Sequence, residues 1–266
     1  MKTVLTIAGS DSSGGAGIQA DIKTMTVHGV YAMSVITAIT AQNTMGVIRM
    51  EPVSVKMVAD QLDAVFQDII PDAVKIGMLG TSEIIHTVAH KLRECGAGHI
   101  VLDPVAFSTS GSPLIEEEAV ETLVRELLPL AELITPNLSE TELLSGEKIT
   151  GLEDMKKAGK RMLERTGVSV LIKGGHLEEE PTDVLVSEEG IVLFEGRRFN
   201  NPDTHGTGCT LSSSIASNLA LGMDMKTAIG EAKAYVAGAI SAELHLGRGR
   251  GPLNHMYRSF CTKRFK

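Results

Sequence analysis

Tryptophan is absent from this 266-residue chain, and aromatic residues make up only 3% of it. Surfaces that bind single-stranded nucleic acid stack bases on aromatic rings, and phosphate backbones call for an excess of Lys and Arg. Here 25 Lys+Arg face 33 Asp+Glu, a net charge of −8, so no nucleic-acid partner is expected. Cysteine is scarce as well. Cys95, Cys209 and Cys261 are odd in number and unrelated in spacing, which fits neither a disulfide framework nor a zinc pattern. No run reaches the roughly 18 uncharged apolar residues of a membrane span, so no membrane contact is expected. The apolar stretch Val4–Ala8 is also shorter than the h-region of a secretory leader, about 7–15 residues. The expected address is a reducing cytoplasm.

What is present is an ordinary globular balance, 43% hydrophobic and 22% charged residues. Strand-like runs alternate with helical patterns. Strands are expected at Thr3–Ala8, Tyr31–Ala41, Ala73–Leu79, His99–Asp103, Leu133–Thr135 and Val168–Lys173. The uncharged run Tyr31–Ala41 reads as a strand buried on both faces. Helices are expected over Gly17–His28, through Val55 to Ile69, from Thr81 or Ser82 to near Gly96, and around Glu116–Leu128. Further helices are expected over Asn137–Ser145, Leu152–Thr166, up to Leu221, and over Met225–Leu246. Thr182–Ser187 and Ile191–Glu195 flank Glu188-Glu189-Gly190 as a hairpin. No linker or internal repeat divides the chain. The expectation is one three-layer α/β/α domain over residues 1–266, with a mostly parallel sheet and ligands beyond the carboxyl ends of its strands.

Gly15-Ala16-Gly17-Ile18-Gln19-Ala20 has the spacing of a dinucleotide fingerprint. The polar stretch Gly9–Gly14 separates it from the strand, however, and Tyr31–Met50 holds no acidic residue, so the fingerprint fails. The loop can still close over a small ligand. Asp21, one helical turn beyond Gly17, either faces that pocket or is a solvated helix residue. His86 and His90 share a helix face but lack the Glu of a zinc motif, and read as an exposed polar face. His205-Gly206-Thr207-Gly208-Cys209-Thr210 is more informative. There a polar loop turns into a helix, where free amides and the helix dipole favour an anion. Cys209 at such a start is expected to have a lowered thiol pKa, unless it is merely a buried cysteine. Asp103, Asn137 and Glu140 follow strand ends, where their oxygens suit Mg²⁺ held through water. Lys173 places an ammonium on the same edge.

Taken together, Thr6-Ile7-Ala8-Gly9-Ser10-Asp11-Ser12-Ser13-Gly14-Gly15-Ala16-Gly17-Ile18-Gln19-Ala20-Asp21, Thr40-Ala41-Gln42-Asn43-Thr44, Lys75-Ile76-Gly77-Met78-Leu79, Thr135-Pro136-Asn137-Leu138, Lys173-Gly174-Gly175-His176 and the His205–Thr210 loop closely resemble the bacterial hydroxymethylpyrimidine/phosphomethylpyrimidine kinases. These form the thiamine-pathway branch of the ribokinase-like superfamily, and the resemblance runs from about Thr3 to Leu253. It implies a ribokinase-like fold and an enzyme dependent on ATP and Mg²⁺. The implied substrates are 4-amino-5-hydroxymethyl-2-methylpyrimidine and then its monophosphate; a homodimer is implied as well. By the same resemblance Gln42 binds the pyrimidine, with Asp21, Met78 and Val105 at pocket positions. Gly206, Thr207 and Gly208 form the anion hole, and Cys209 is the base. Lys173 is linked to the phosphates, and Asp103, Asn137 and Glu140 lie on the metal and nucleotide edge. The covering loop Val105–Gly111 departs from the usual pattern at Ala106 and Phe107. A pyridoxal-specialised branch pairs the loop cysteine with a second thiol, and Ser108 occupies that position here. Pyridoxine or pyridoxal kinase is the alternative with the same chemistry. A thiol hydrolase built on His205 and Cys209, or a non-catalytic metabolite sensor, are the rivals of other classes.

Overall fold

The computed structural model describes residues 1–106, 114–175 and 181–258. Ser108 and most of the covering loop, His176 and Cys261 lie outside the described residues. β1 (Thr3–Asp11) is third from one edge of a nine-stranded sheet ordered β3-β2-β1-β4-β5-β6-β7-β8-β9. The other strands are β2 (Tyr31–Asn43), β3 (Gly46–Pro52), β4 (Ala73–Ile76), β5 (Ile100–Leu102), β6 (Leu133–Ile134), β7 (Ser169–Ile172), β8 (Asp183–Ser187) and β9 (Gly190–Phe194). β2, β1, β4, β5, β6 and β7 run parallel, and antiparallel hairpins close both edges.

The two-residue period of a strand sends alternate side chains to opposite layers. Leu5 and Ile7 enter a core shared with helices α2 (Val55–Phe66), α3 (Ser82–Glu94) and α6 (Leu152–Thr166). Val4 enters the other core, with α7 (Thr207–Ala220) and α8 (Met225–Ser241), against which α1 (Gly17–Val27) also packs. Full burial of each such side chain contributes about 1.5–3 kcal/mol. α7 is the innermost helix: every residue from Thr210 to Ala220 is buried, and its Ala and Ser side chains allow close packing. The architecture is the three-layer α/β/α sandwich expected from the sequence.

Several boundaries differ from the sequence reading. β1 runs three residues past Ala8, through a register shift between Ala8 and Ser10, so the polar stretch begins inside the sheet. β2 is not buried on both faces: Tyr31 and Ile39 are exposed near the sheet edge. β3 was not expected, because none of its residues is buried and periodicity has no inner face to report. The helix around Glu116–Leu128 is α4 (Glu117–Thr122), then a π-helical turn over Leu123–Leu127 and a 3-10 turn containing Pro129. Proline lacks the N–H that would continue the ladder. α8 stops at Ser241, five residues before Leu246, and beyond it Asp203 accepts from the amides of His245 (2.9 Å) and Gly251 (3.1 Å).

Candidate active site

The carboxyl ends of the parallel strands open on one cleft of about 1940 Å³, lined by Gln42, Met78, Asp103, Val105, Asn137, Glu140, Lys173 and Gly206 through Cys209. That volume admits a nucleotide and a small acceptor together, since single-ligand pockets run to about 300–1,000 Å³. Every residue expected at the site lines it except Asp21.

Gly206 is the N-cap of α7 and adopts φ +86°, a conformation that favours glycine. A Cβ there would lie 1.9 Å from the Gly15 carbonyl oxygen, so the α7 start and the Gly-rich loop touch backbone to backbone. The Thr207 amide donates to Thr204 O at 3.3 Å, and the Thr210 amide to Gly206 O at 2.9 Å. Among the described residues, nothing accepts from the amides of Gly208 and Cys209, which remain for an anion. Gly208 also leaves room beside Asp103 and Lys173, since a Cβ would lie 3.3 Å from Asp103 Oδ2 and from Lys173 Nζ.

Lys173 Nζ donates to Asp103 Oδ1 at 2.8 Å and lies 4.0 Å from Glu140 Oε2. Burial works against its charge, yet the Asp103 and Glu140 carboxylates outweigh it and raise the lysine above its ordinary range. Thr135 Oγ1 donates to the same Asp103 Oδ1 at 3.1 Å. Asn137 caps α5 (Leu138–Ser145), its Oδ1 accepting from the Glu140 amide at 2.9 Å, while Glu140 Oε2 accepts from the Asn137 amide at 2.8 Å. This capping box holds Glu140 at the cleft, where burial raises its carboxyl, opposed by Lys173. Among the described residues no three His, Cys, Asp or Glu side chains converge as a metal cage.

Two expectations need correction. Asp21 neither faces the cleft nor is solvated. It is fully buried and ion-paired with Lys75, whose Nζ lies 3.0 and 2.9 Å from its two oxygens. Thr6 and Ser213 hydroxyls each donate to it at 2.6 Å. The helical turn after Gly17 carries Asp21 inward, toward β1, β4 and α7, rather than toward the loop. Cys209, which is half-buried in the cleft wall, does not have a lowered pKa. Burial pushes its thiol up to about 11, although the Lys75 ammonium and the Gly17 amide both favour the thiolate. Desolvation here outweighs the helix start.

Sequence reasoning missed the part that Asp11 plays on the Gln42 side of the cleft. The Asp11 carboxylate accepts from the Ser13, Gly15 and Ala16 amides and from the Ser13 hydroxyl, folding the Gly-rich loop around itself. Burial raises its carboxyl, but the hydrogen bonds from His205, Ser13 and Ala16 prevail and hold it at about 2. His205 Nε2 bonds Asp11 Oδ2 at 2.8 Å. Gln42 projects beside it: one end of its amide is 3.3 Å from His205 Nε2 and the other 3.2 Å from Thr40 Oγ1. The Asp11-Ser12-Ser13 run does carry an Asx-turn signal. His86, as expected, is exposed, and its Nδ1 lies 2.6 Å from Glu126 Oε2.

Comparison with known proteins accords with this geometry. A family model described as phosphomethylpyrimidine kinase matches residues 11–254. A hydroxymethylpyrimidine/phosphomethylpyrimidine kinase of Rhizobium meliloti is 49% identical over 258 residues, covering 96% of this chain and 97% of that protein. The crystal structure of a Clostridium difficile phosphomethylpyrimidine kinase superposes with a TM-score of 0.82 at 47% identity, over 90% of this chain and 100% of that one. An ADP complex of Bacillus subtilis pyridoxal kinase superposes with a TM-score of 0.90 at 37% identity, over 98% and 99% of the two chains. On the family match and the near full-length identity, the chain belongs to the phosphomethylpyrimidine kinase family.

Proposed function

We propose that this enzyme transfers the γ-phosphoryl group of ATP to 4-amino-5-hydroxymethyl-2-methylpyrimidine and then to the resulting monophosphate, supplying the diphosphate for thiamine biosynthesis. The observation that carries the reading is the placement of Gln42 and Met78 in the same cleft as the open amides of Gly208 and Cys209. Gln42 offers both a donor and an acceptor to a ring edge. Phosphoryl transfer needs little covalent work from the protein, so positioning and charge stabilisation dominate. In this reading Gly206, Thr207, Gly208 and Cys209 cradle the moving phosphoryl group at the positive end of α7. Lys173 balances its charge, and Asn137 borders the nucleotide. Cys209 takes the hydroxymethyl proton in the first transfer; the second attacks with a phosphate oxygen already ionised, and needs no strong base.

The donor set suits Mg²⁺, which binds through one or two carboxylates, retained waters and substrate phosphates. Asp103 fits, because among the described residues only its Oδ1 is hydrogen-bonded, leaving Oδ2 open toward the α7 start. Glu140 stands beside it. Bound there, the ion would neutralise phosphate charge. Among the described residues no helix is long and apolar enough to cross a membrane. Exposed Ile39, Met45 and Ile48 near the β2–β3 edge support a homodimer.

Vitamin B6 phosphorylation is the second reading, favoured by the structural match to pyridoxal kinase. Ser108 argues against pyridoxal, since a serine hydroxyl is a far poorer nucleophile toward an aldehyde than a thiol. Measuring ADP release with hydroxymethylpyrimidine, its monophosphate and pyridoxal as separate acceptors, then with equal concentrations in competition, decides between them. Preferential phosphorylation of pyridoxal would overturn the pyrimidine reading.

A further inference from the structure

We infer that Asp11, His205 and Thr40 are positioning residues that fix which end of the Gln42 amide is oxygen and which is nitrogen. They thereby select a ring with an amino group beside a bare ring nitrogen over one with an oxo group beside a ring N–H. The inference rests on Gln42 meeting the acceptor ring, as proposed above.

The oxygen and nitrogen of a glutamine amide have nearly the same shape, so the proton count around them decides their identity. The count starts at Asp11. Both of its oxygens are surrounded by donors, the Ser13, Gly15 and Ala16 amides and the Ser13 hydroxyl, as suits an ionised carboxylate that only accepts. Its 2.8 Å contact with His205 Nε2 therefore requires a hydrogen on that nitrogen. A protonated Nε2 cannot accept. The end of the Gln42 amide lying 3.3 Å from it must be the oxygen, since an NH₂ there would set donor against donor.

Thr40 gives the same answer independently. Its hydroxyl has one proton, donated to Ser10 O at 2.8 Å, a carbonyl that cannot donate in return. The other end of the amide, 3.2 Å from Thr40 Oγ1, therefore meets a lone pair and must be the NH₂. Two flanking groups thus exclude the same flipped orientation.

The frame holding these groups is tight. A Cβ on Gly15 would fall 2.4 Å from His205 Cδ2, and the His205 amide donates to Gly251 O at 3.1 Å. The Ser12 hydroxyl donates to Gln42 O and accepts from Gln42 N, both at 2.9 Å. With the flanks satisfied, Gln42 keeps one lone pair on Oε1 and one N–H on Nε2 for a ligand. Those match a ring amino group and an adjacent unprotonated nitrogen, much as glutamine reads adenine. A 4-oxo ring with N3–H presents the opposite pair.

The test compares kcat/KM for 4-amino-5-hydroxymethyl-2-methylpyrimidine with that for its 4-oxo analogue. It uses the wild type, His205→Phe and His205→Gln. The wild type should favour the amino ring strongly. His205→Phe frees the amide to flip, and the amino-to-oxo ratio should fall by about tenfold or more, the scale of one mismatched buried hydrogen bond. His205→Gln, which can keep an N–H in that place, should restore much of the ratio. A lesion of folding alone would lower both rates together and leave the ratio unchanged, and an unchanged ratio in His205→Phe overturns the inference. Nitrogen-15 spectra of the histidines in the ligand-free wild type give a second reading. A hydrogen on His205 Nε2 supports the assignment, and a bare Nε2 overturns it. Failure to phosphorylate either pyrimidine would instead refute the proposed function, a result distinct from either outcome for the amide.

Discussion

Replacing Cys209 by alanine separates the two transfers, because only the first needs a proton removed from an alcohol. Burial holds the Cys209 thiol at about 11. At neutral pH, about four units below that value, the thiolate is therefore a small fraction, on the order of 10⁻⁴. The sign follows directly: the basic form gains as pH rises toward the raised pKa. First-transfer kcat/KM should thus climb by close to tenfold per pH unit between about pH 7 and 9, since the reactive fraction scales with hydroxide in that range. The monophosphate has its second ionisation near 6, so transfer to it should be nearly flat over the same interval. In Cys209→Ala the slope on the free alcohol should vanish, with a loss of about 10²–10⁴-fold, deepest at the alkaline end. Activity on the monophosphate should change much less. Steady-state ADP release across a buffered pH series with each acceptor gives both quantities. Equal losses on the two acceptors, or a slope that survives the substitution, would refute the base assignment and make Cys209 a packing residue of the α7 start.

Lys75→Met leaves the buried Asp21 without its cation, which typically costs about 3–5 kcal/mol. At about 2–4 °C per kcal/mol for a chain of this size, calorimetry should show Tm falling by roughly 6–20 °C. Adding Asp21→Leu should restore most of it, and a single variant as stable as the wild type would contradict the pairing. Gly206→Ala sets a Cβ 1.9 Å from Gly15 O at φ +86°, so both transfers should collapse while far-ultraviolet circular dichroism stays near wild type. Retained transfer would show that the anion-binding turn tolerates displacement. Gln42→Ala should raise KM for both acceptors and leave KM for ATP nearly unchanged; an unaltered acceptor KM would remove Gln42 from the ring site.

The layers were legible because the interior strands and amphipathic helices carry strong periods. Leu5 and Ile7 against Val4, or Ile84, Ile85, Val88 and Leu92 along α3, announce their buried faces. β3 was not legible, having no buried face, and neither was the end of α8, where a remote carboxylate, Asp203, holds the chain beyond it. At the site, the glycines of the α7 start could be read locally, since neighbouring amides create the anion preference. Asp21 and Cys209 were misread for a common reason. Their properties depend on how deeply the third dimension buries them, and Lys75 comes from a strand 54 residues further along. The His205–Asp11 contact joins segments 194 residues apart, a separation over which no local spacing rule operates.

The enclosure of α7 has a consequence for measurement. With Thr210 through Ala220 all buried between the sheet and its neighbouring helices, the interior amides of this helix can meet solvent deuterium only when the whole domain opens. Their exchange rates then gauge global stability, while the turn at the head of the same helix holds the ligand. Anything that binds the folded cleft alone adds RT ln(1 + [L]/Kd) to that stability, about 2.7 kcal/mol at a hundredfold excess over Kd. Deuterium uptake along one helix would thus slow by about a hundredfold, reporting the affinity of ATP or of either acceptor without any turnover.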